Sequence, residues 1–194
     1  MFQVRIHGRG GQGVVSAAEM LSLAAFEEGR YAQAFPSFGS ERMGAPVAAF
    51  CRIDKKEIRL REPVMEPDAV IIQDPTLLHQ VDVFSGISKF GFLLINSTRS
   101  FEELGLNDLT QHFLKGHICT VGASEIALVH VGRPLPNAAL LGAFSAMTGR
   151  PALASVETAI RHKFREKIAA ANVAAARAAY EAVNKTLQRE AAYV

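Results

Sequence analysis

Six residues near the start of the chain, Gly8-Arg9-Gly10-Gly11-Gln12-Gly13, satisfy the spacing G-x-G-x-x-G. Residues without side chains let backbone N–H groups and the positive end of a following helix approach an anion, typically a phosphate or pyrophosphate. The same glycines also serve a tight turn that packs a helix on a sheet, so the pattern alone leaves both uses open. Dinucleotide binding further requires an acid for the ribose near the end of the second strand, roughly 20 residues on. That region reads Gln33-Ala34-Phe35-Pro36 and holds no carboxylate, which argues against an NAD site. No G-x-x-x-x-G-K-[ST] loop occurs either, which argues against nucleotide hydrolysis.

A second polar cluster, Phe38-Gly39-Ser40-Glu41-Arg42-Met43-Gly44-Ala45-Pro46, is bracketed by glycines and lies between two apolar runs. Arg42 can grip a carboxylate or phosphate at two points, and Glu41 can orient it or pair with another chain. An ordinary solvated ion pair is the plainer account of the same residues. The six histidines form no metal set by spacing, and His7 stands out only because it ends an apolar run directly before the glycines. Cys51 and Cys119 are far apart and lack the short spacings that ligate zinc or iron–sulfur clusters. No G-x-S-x-G elbow is present, and neither cysteine has a context that would lower its pKa. The chain therefore reads as having no catalytic residues of its own and no metal site.

The elements that must position these residues follow from periodicity. Val4 to His7 reads as a short strand, with Gly8 to Gly13 a loop beyond it. The three- and four-residue spacing of apolar positions from Val14 to Glu28 then predicts a helix stopped at Gly29. Tyr31 to Phe35 reads as a strand ended by Pro36. Pro46 to Ile53 and Glu57 to Leu60 read as a hairpin split by Asp54-Lys55-Lys56. Ala69 to Ile72 and Phe92 to Ile95 are apolar on both faces, as central parallel strands are. His117 to Val121 reads as a further strand, and Ser124 to His130 as a helix. After Pro134 the pattern turns helical, over Asn137 to Met147, Val156 to Phe164 and Ile168 to Leu187. The expected fold is α/β, a Rossmann-like mostly parallel sheet with flanking helices and a helical C-terminal third. It forms a single domain over residues 1–194, with an α/β core at about 1–135 and a helical closing segment at about 136–194.

Composition bounds the rest. A chain of 194 residues can bury about 70% of its unfolded surface, so it needs no staples. The 21 Lys and Arg are nearly balanced by 19 Asp and Glu and show no basic stripe, which argues against nucleic acid. No apolar run approaches a membrane span and no secretory leader is evident, and two cysteines far apart in a chain able to form a full core suit a reducing, cytoplasmic setting.

The ordered set of motifs resembles the gamma subunit of 2-oxoacid:acceptor oxidoreductases, the pyruvate/ketoisovalerate-type ferredoxin enzymes. The set comprises Gly8 to Gly13 with its Ala-rich helix, Phe38 to Pro46, Pro67-Asp68-Ala69-Val70-Ile71, Pro136-Asn137 and Leu141-Gly142-Ala143. Met43 stands where many members carry a second glycine. The resemblance implies a CoA-dependent oxidative decarboxylation of a 2-oxoacid to acyl-CoA and carbon dioxide. The substrate would be pyruvate, a branched-chain acid or an aromatic one such as phenylglyoxylate. It implies thiamine diphosphate between alpha and beta subunits, [4Fe-4S] clusters in partner chains including a ferredoxin-like delta subunit, and ferredoxin or NAD through a flavoprotein as acceptor. This chain, inactive alone, would contact CoA through Gly8, Arg9, Gly10, Gly11, Gln12 and Gly13. Phe38, Gly39, Ser40, Glu41, Arg42, Gly44 and Asn137 would face the active site or a partner chain. Two other functions fit the residues: a free-standing Rossmann-like nucleotide-binding reductase or sensor, and an assembly subunit whose glycine loop binds nothing.

Overall fold

The computed structural model describes residues 1–37 and 43–192, so Phe38, Gly39, Ser40, Glu41 and Arg42 lie outside the described residues. The chain forms one six-stranded sheet of β1 (Phe2–Arg9), β2 (Tyr31–Pro36), β3 (Pro46–Asp54), β4 (Ala69–Ile72), β5 (Phe92–Asn96) and β6 (Ile118–Val121). The strand order is β2-β3-β1-β4-β5-β6. Strands β1, β4, β5 and β6 are parallel neighbours, and only β3 runs against them, between β1 and β2. The Rossmann-like, mostly parallel sheet is therefore present, with a returning strand beside β1.

Two local expectations are corrected. Gly8 and Arg9 belong to β1 rather than to the loop, because the ladder with β3 continues through Gly8↔Val47 and Arg9↔Pro46 after the ladder with β4 has ended at His7↔Ile72. The hairpin partner of β3 is β2, not Glu57 to Leu60. Both edges of β3 are taken, by β1 and β2, so no edge remains for the later segment. That segment is drawn across instead by Arg52, whose guanidinium donates to the carbonyls of Leu60 at 3.4 Å and Glu62 at 2.6 Å.

The five longer helices are α1 (Val14–Glu27), α3 (Ala123–Val131), α4 (Asn137–Thr148), α5 (Leu153–Lys163) and α6 (Glu166–Ala192). They stack on one face, where their apolar stripes join Val4, Ile6, Ala69, Ile71 and Leu94 in the larger core. Alternation along the strands sends Val70, Ile72, Leu93 and Ile95 to the other face. That face is covered more thinly, by a 3-10 turn at Pro75–His79, irregular chain and the four-residue helix α2 (Asn107–Thr110). Helix α6 packs through Ala169, Val173, Ala176, Ala179 and Val183, a three- and four-residue spacing of small side chains that lets it lie close to α4.

Candidate functional site

The carboxyl end of β1 leads into α1 through three glycine-dependent positions. Gly8 is glycine for space, because a β-carbon there would lie 2.6 Å from the Val14 side chain. Gly11 and Gly13 have φ of +92° and +78°, a region that L side chains rarely adopt. Gly13 is also crowded by the amide of Asn137, whose Nδ2 would be 2.8 Å from an added β-carbon. The structure thus brings Asn137, the first residue of α4, against the end of the glycine loop. Asn137 is buried, and its Oδ1 accepts from the Ala138 N–H at 3.0 Å.

The described end of the second motif also meets the loop. Gly10 bridges Met43, its N–H donates to the Ala45 carbonyl at 2.9 Å, and its own carbonyl accepts from the Gly44 N–H at 3.0 Å. The amides of Gly10, Arg9 and Gln12 are thereby engaged inside the chain, those of Arg9 and Gln12 with the Gln12 side chain and the Arg9 carbonyl. The amides of Gly11, Gly13 and the first turn of α1 have no such partner among the described residues. Its N-cap, Gly13, offers no side-chain cap and no acidic residue stands in that turn, so the positive helix end is uncompensated.

A cleft of about 550 Å³ opens against this helix end. Gly11, Gln12, Gly13 and Ser16 form one wall, Arg133, Asn137 and Asn172 add a cation and two amides, and Leu135, Phe164 and Ile168 contribute apolar surface. A smaller hollow of about 280 Å³, lined by Arg9, Gly10, Val14, Val15 and Val47, shares Gly11, Gly13 and Ser16 with that cleft. The other large hollow, about 570 Å³ between Phe2, Arg30, Asp54 and Arg150, gathers none of the residues expected to bind. The larger cleft beside the loop is the candidate site, because it adds Arg133 and Asn137 to the helix end.

Arg9 does not face the 550 Å³ cleft. Its guanidinium donates to Asp74, Thr76, Gln80 and the Gly44 carbonyl. Partial burial pushes the Asp74 carboxyl up, but hydrogen bonds from Thr76 and Gln12 and the nearby Arg9 charge outweigh it and hold the group below the usual carboxylate range. His7 points to the opposite face of the sheet from α1, beside Arg5. Burial above all, with the Arg5 charge, lowers its pKa to about 4 against a weaker pull from Asp82, and its Nε2 has no hydrogen-bond partner among the described residues.

Sequence reasoning missed Asp74, Thr76 and Gln80. Asp74-Pro75-Thr76 was visible as a helix-start signature, an N-cap acid followed by proline, and it does cap the 3-10 turn. Arg133 carried no local signal, because only the tertiary fold brings it near the glycines. The dinucleotide reading is weakened further by topology. The second strand, β2, is separated from β1 by β3, so its end is not beside the loop where a ribose acid would stand. Glu27 lies at the far end of α1, roughly 20 Å along the helix at 1.5 Å per residue, and Glu41 lies outside the described residues.

Among the described residues no group of three or more His, Cys, Asp or Glu side chains is placed to hold a metal ion. Cys51 is buried, which pushes its thiol far up, and the buried Cys119 thiol donates to the Thr120 carbonyl at 3.3 Å. Neither is presented as a ligand for a cluster. No helix among the described residues is long and apolar enough to cross a membrane.

Comparison with known proteins agrees with this architecture. The chain is 47% identical over 98% of its length to the pyruvate/ketoisovalerate oxidoreductases common subunit gamma of Thermococcus kodakarensis, all of which is covered. The crystal structure of pyruvate oxidoreductase subunit PORC from Thermotoga maritima superposes with a TM-score of 0.78 at 40% identity, over 93% of this chain and 95% of that one. A 2-oxoglutarate:ferredoxin oxidoreductase from Magnetococcus marinus, solved with 2-oxoglutarate, coenzyme A and succinyl-CoA bound, shares the fold with a TM-score of 0.74. Its identity is 17%, over 95% of this chain and 31% of that longer one. Residues 3–182 match the pyruvate ferredoxin/flavodoxin oxidoreductase family, and the chain belongs to that family as a gamma-type subunit.

Proposed function

We propose that this gamma chain acts as one domain that binds the phosphate end of CoA for a multi-subunit enzyme oxidising a 2-oxoacid to acyl-CoA and carbon dioxide. One observation carries the reading: the uncapped end of α1, Arg133 and Asn137 converge on a single cleft that continues as an apolar wall. Phosphate oxygens would take the amides of Gly11, Gly13 and the first turn of α1, with Arg133 as the nearby cation. The pantetheine arm, largely apolar, would lie along Leu135, Phe164 and Ile168. Gly8 and Gly10 hold the loop in shape. Pyruvate is the first substrate to test, given the names of the relatives; branched-chain and aromatic 2-oxoacids belong to the same proposal.

The residues present do not fit thiamine diphosphate or iron–sulfur clusters. The chain lacks a Gly-Asp-Gly motif followed by Asn, and both of its cysteines are buried. The proposal therefore places these groups in alpha, beta and ferredoxin-like delta chains of a cytoplasmic complex, with ferredoxin, or NAD through a flavoprotein, as acceptor. Phe38, Gly39, Ser40, Glu41, Arg42 and Gly44 form the proposed contact with those chains.

The test is Arg133→Ala in the co-expressed complex. Loss of one charge-assisted contact, worth about 1.5–3 kcal/mol, raises the KM for CoA about tenfold or more and leaves the KM for the 2-oxoacid unchanged. A flat KM for CoA in an assembled complex removes CoA from this cleft. NAD(P) binding to the chain in titration would establish the free-standing reductase or sensor instead.

A further inference from the structure

In an open α/β sheet the ligand ordinarily enters the crevice at the carboxyl ends of the strands where the order of building reverses. Here those strands are β1 and β4, parallel neighbours; Arg9 ends β1, and Asp74 lies just beyond β4. The crevice is filled by the chain itself. Asp74 Oδ2 accepts from Arg9 Nε at 3.1 Å and from Gln12 Nε2 at 2.8 Å. Asp74 Oδ1 accepts from the Thr76 N–H at 2.9 Å and the Thr76 hydroxyl at 2.6 Å. One oxygen therefore caps the 3-10 turn, and the other reaches the glycine loop.

Gln12 closes the circuit. Its Oε1 accepts from the Arg9 N–H at 2.8 Å, so the side chain is pinned at both ends while it lines the 550 Å³ cleft. Its neighbours Gly11 and Gly13 have little conformational preference of their own, and an unpinned loop would sample many shapes. Arg9 adds the third tie, donating to the Gly44 carbonyl at 3.0 Å and so fastening the Met43–Ala45 segment to the same network.

We infer that Asp74 is a positioning residue for the CoA cleft, acting through Gln12, and that Arg9 is an internal tie rather than a ligand-facing cation. The inference rests on the reading of the cleft given above. Asp74 sets the glycine loop before the ligand arrives, which lowers the ordering cost of binding without touching the ligand.

The two oxygens of Asp74 have separable duties, and this makes the inference testable. Asp74→Asn keeps the shape, but its NH2 must face donors on one side or the other. Gln12→Leu removes the same link from the loop end. In the assembled complex each change raises the KM for CoA five- to tenfold, and the dissociation constant from calorimetric titration with CoA moves by the same factor. The turnover number and the KM for the 2-oxoacid stay within twofold. The double variant is no worse than the worse single one, because both remove one interaction. Multiplying effects, or an unchanged KM for CoA in Asp74→Asn, overturn the inference. Should Asp74→Asn fail to assemble, Thr76→Val decides in its place, because it removes a hydroxyl that holds Asp74 and does not line the cleft: a rise confined to the KM for CoA supports the positioning role, and no rise overturns it. If Arg133→Ala shifts the KM for CoA while these variants do not, only the positioning role fails. If Arg133→Ala is flat as well, the reading of the cleft fails first.

Discussion

Gly142 of α4 lies so close to Ala176 of α6 that a β-carbon added to it would overlap the Ala176 carbonyl. The obstacle is backbone in the middle of a helix and cannot swing aside. Gly142→Ala must therefore push the two helices apart, at a cost of about 1–3 kcal/mol or more. Gly29 supplies the contrast, since its φ is +72° and nothing lies within 4 Å of an added β-carbon. Gly29→Ala carries only the left-handed penalty of about 1–2 kcal/mol. Thermal unfolding should show the larger loss for Gly142→Ala. The opposite order would mean that α4 and α6 do not set the packing of the core.

Stability should fall as acid is added between pH 6.5 and about 4. His7, with its pKa lowered to about 4 by burial and the Arg5 charge against a weaker pull from Asp82, stays neutral in the fold across that window, while the unfolded chain takes up a proton from about pH 6.5 downward. Stability is level above the unfolded value, drops through the window by roughly 3 kcal/mol, and levels off below pH 4 where both states are protonated. Asp74 and Glu157, both held below the ordinary carboxylate range, lose stability in the same direction further into acid. A His7→Gln variant isolates the effect in urea titrations at several pH values. A slope as steep as the parent's would show that His7 is not responsible.

Arg42→Ala should weaken assembly with the partner chains or lower turnover. A desolvated charge-assisted contact is worth about 1.5–3 kcal/mol, so the dissociation constant between subunits should rise ten- to a hundredfold. Unchanged subunit affinity together with unchanged kinetics would make Phe38 to Pro46 an ordinary surface loop.

The purified chain should neither decarboxylate a 2-oxoacid nor bind iron or thiamine diphosphate in stoichiometric amount. Metal analysis and the visible spectrum read this directly. Iron–sulfur absorbance in the pure chain would show that Cys51 or Cys119 leaves its buried position to ligate, contrary to the core in which both sit.

Strand and helix periodicity was legible wherever burial is two-sided or striped, as in Ala69–Ile72 and the helix beginning at Val14. It failed where a neighbour decided the outcome. Gly8 and Arg9 look like loop until β3 is known to run alongside them, and Glu57 to Leu60 looks like strand until Arg52 is seen to hold the Leu60 carbonyl. The candidate site divides in the same way. The glycines mark a loop of unusual backbone freedom before a helix, as Gly11 and Gly13 show by their positive φ. Asp74 and Arg133 reach the loop and the cleft only through the tertiary fold, which the linear order does not show.

The unequal covering of the two faces has a dynamic consequence. Strands β4 and β5 serve both cores, yet on one side only the 3-10 turn, irregular chain and α2 shield them. Local opening that strips this side leaves the helical side of the sheet, and the cleft with it, largely in place, so it costs less than global unfolding. In hydrogen exchange, amides of the Pro75–His79 turn and of Asn107–Thr110 should trade with deuterium well before those of α1 and α4. The molecule would breathe through its thin face while the cleft-bearing helices stay closed.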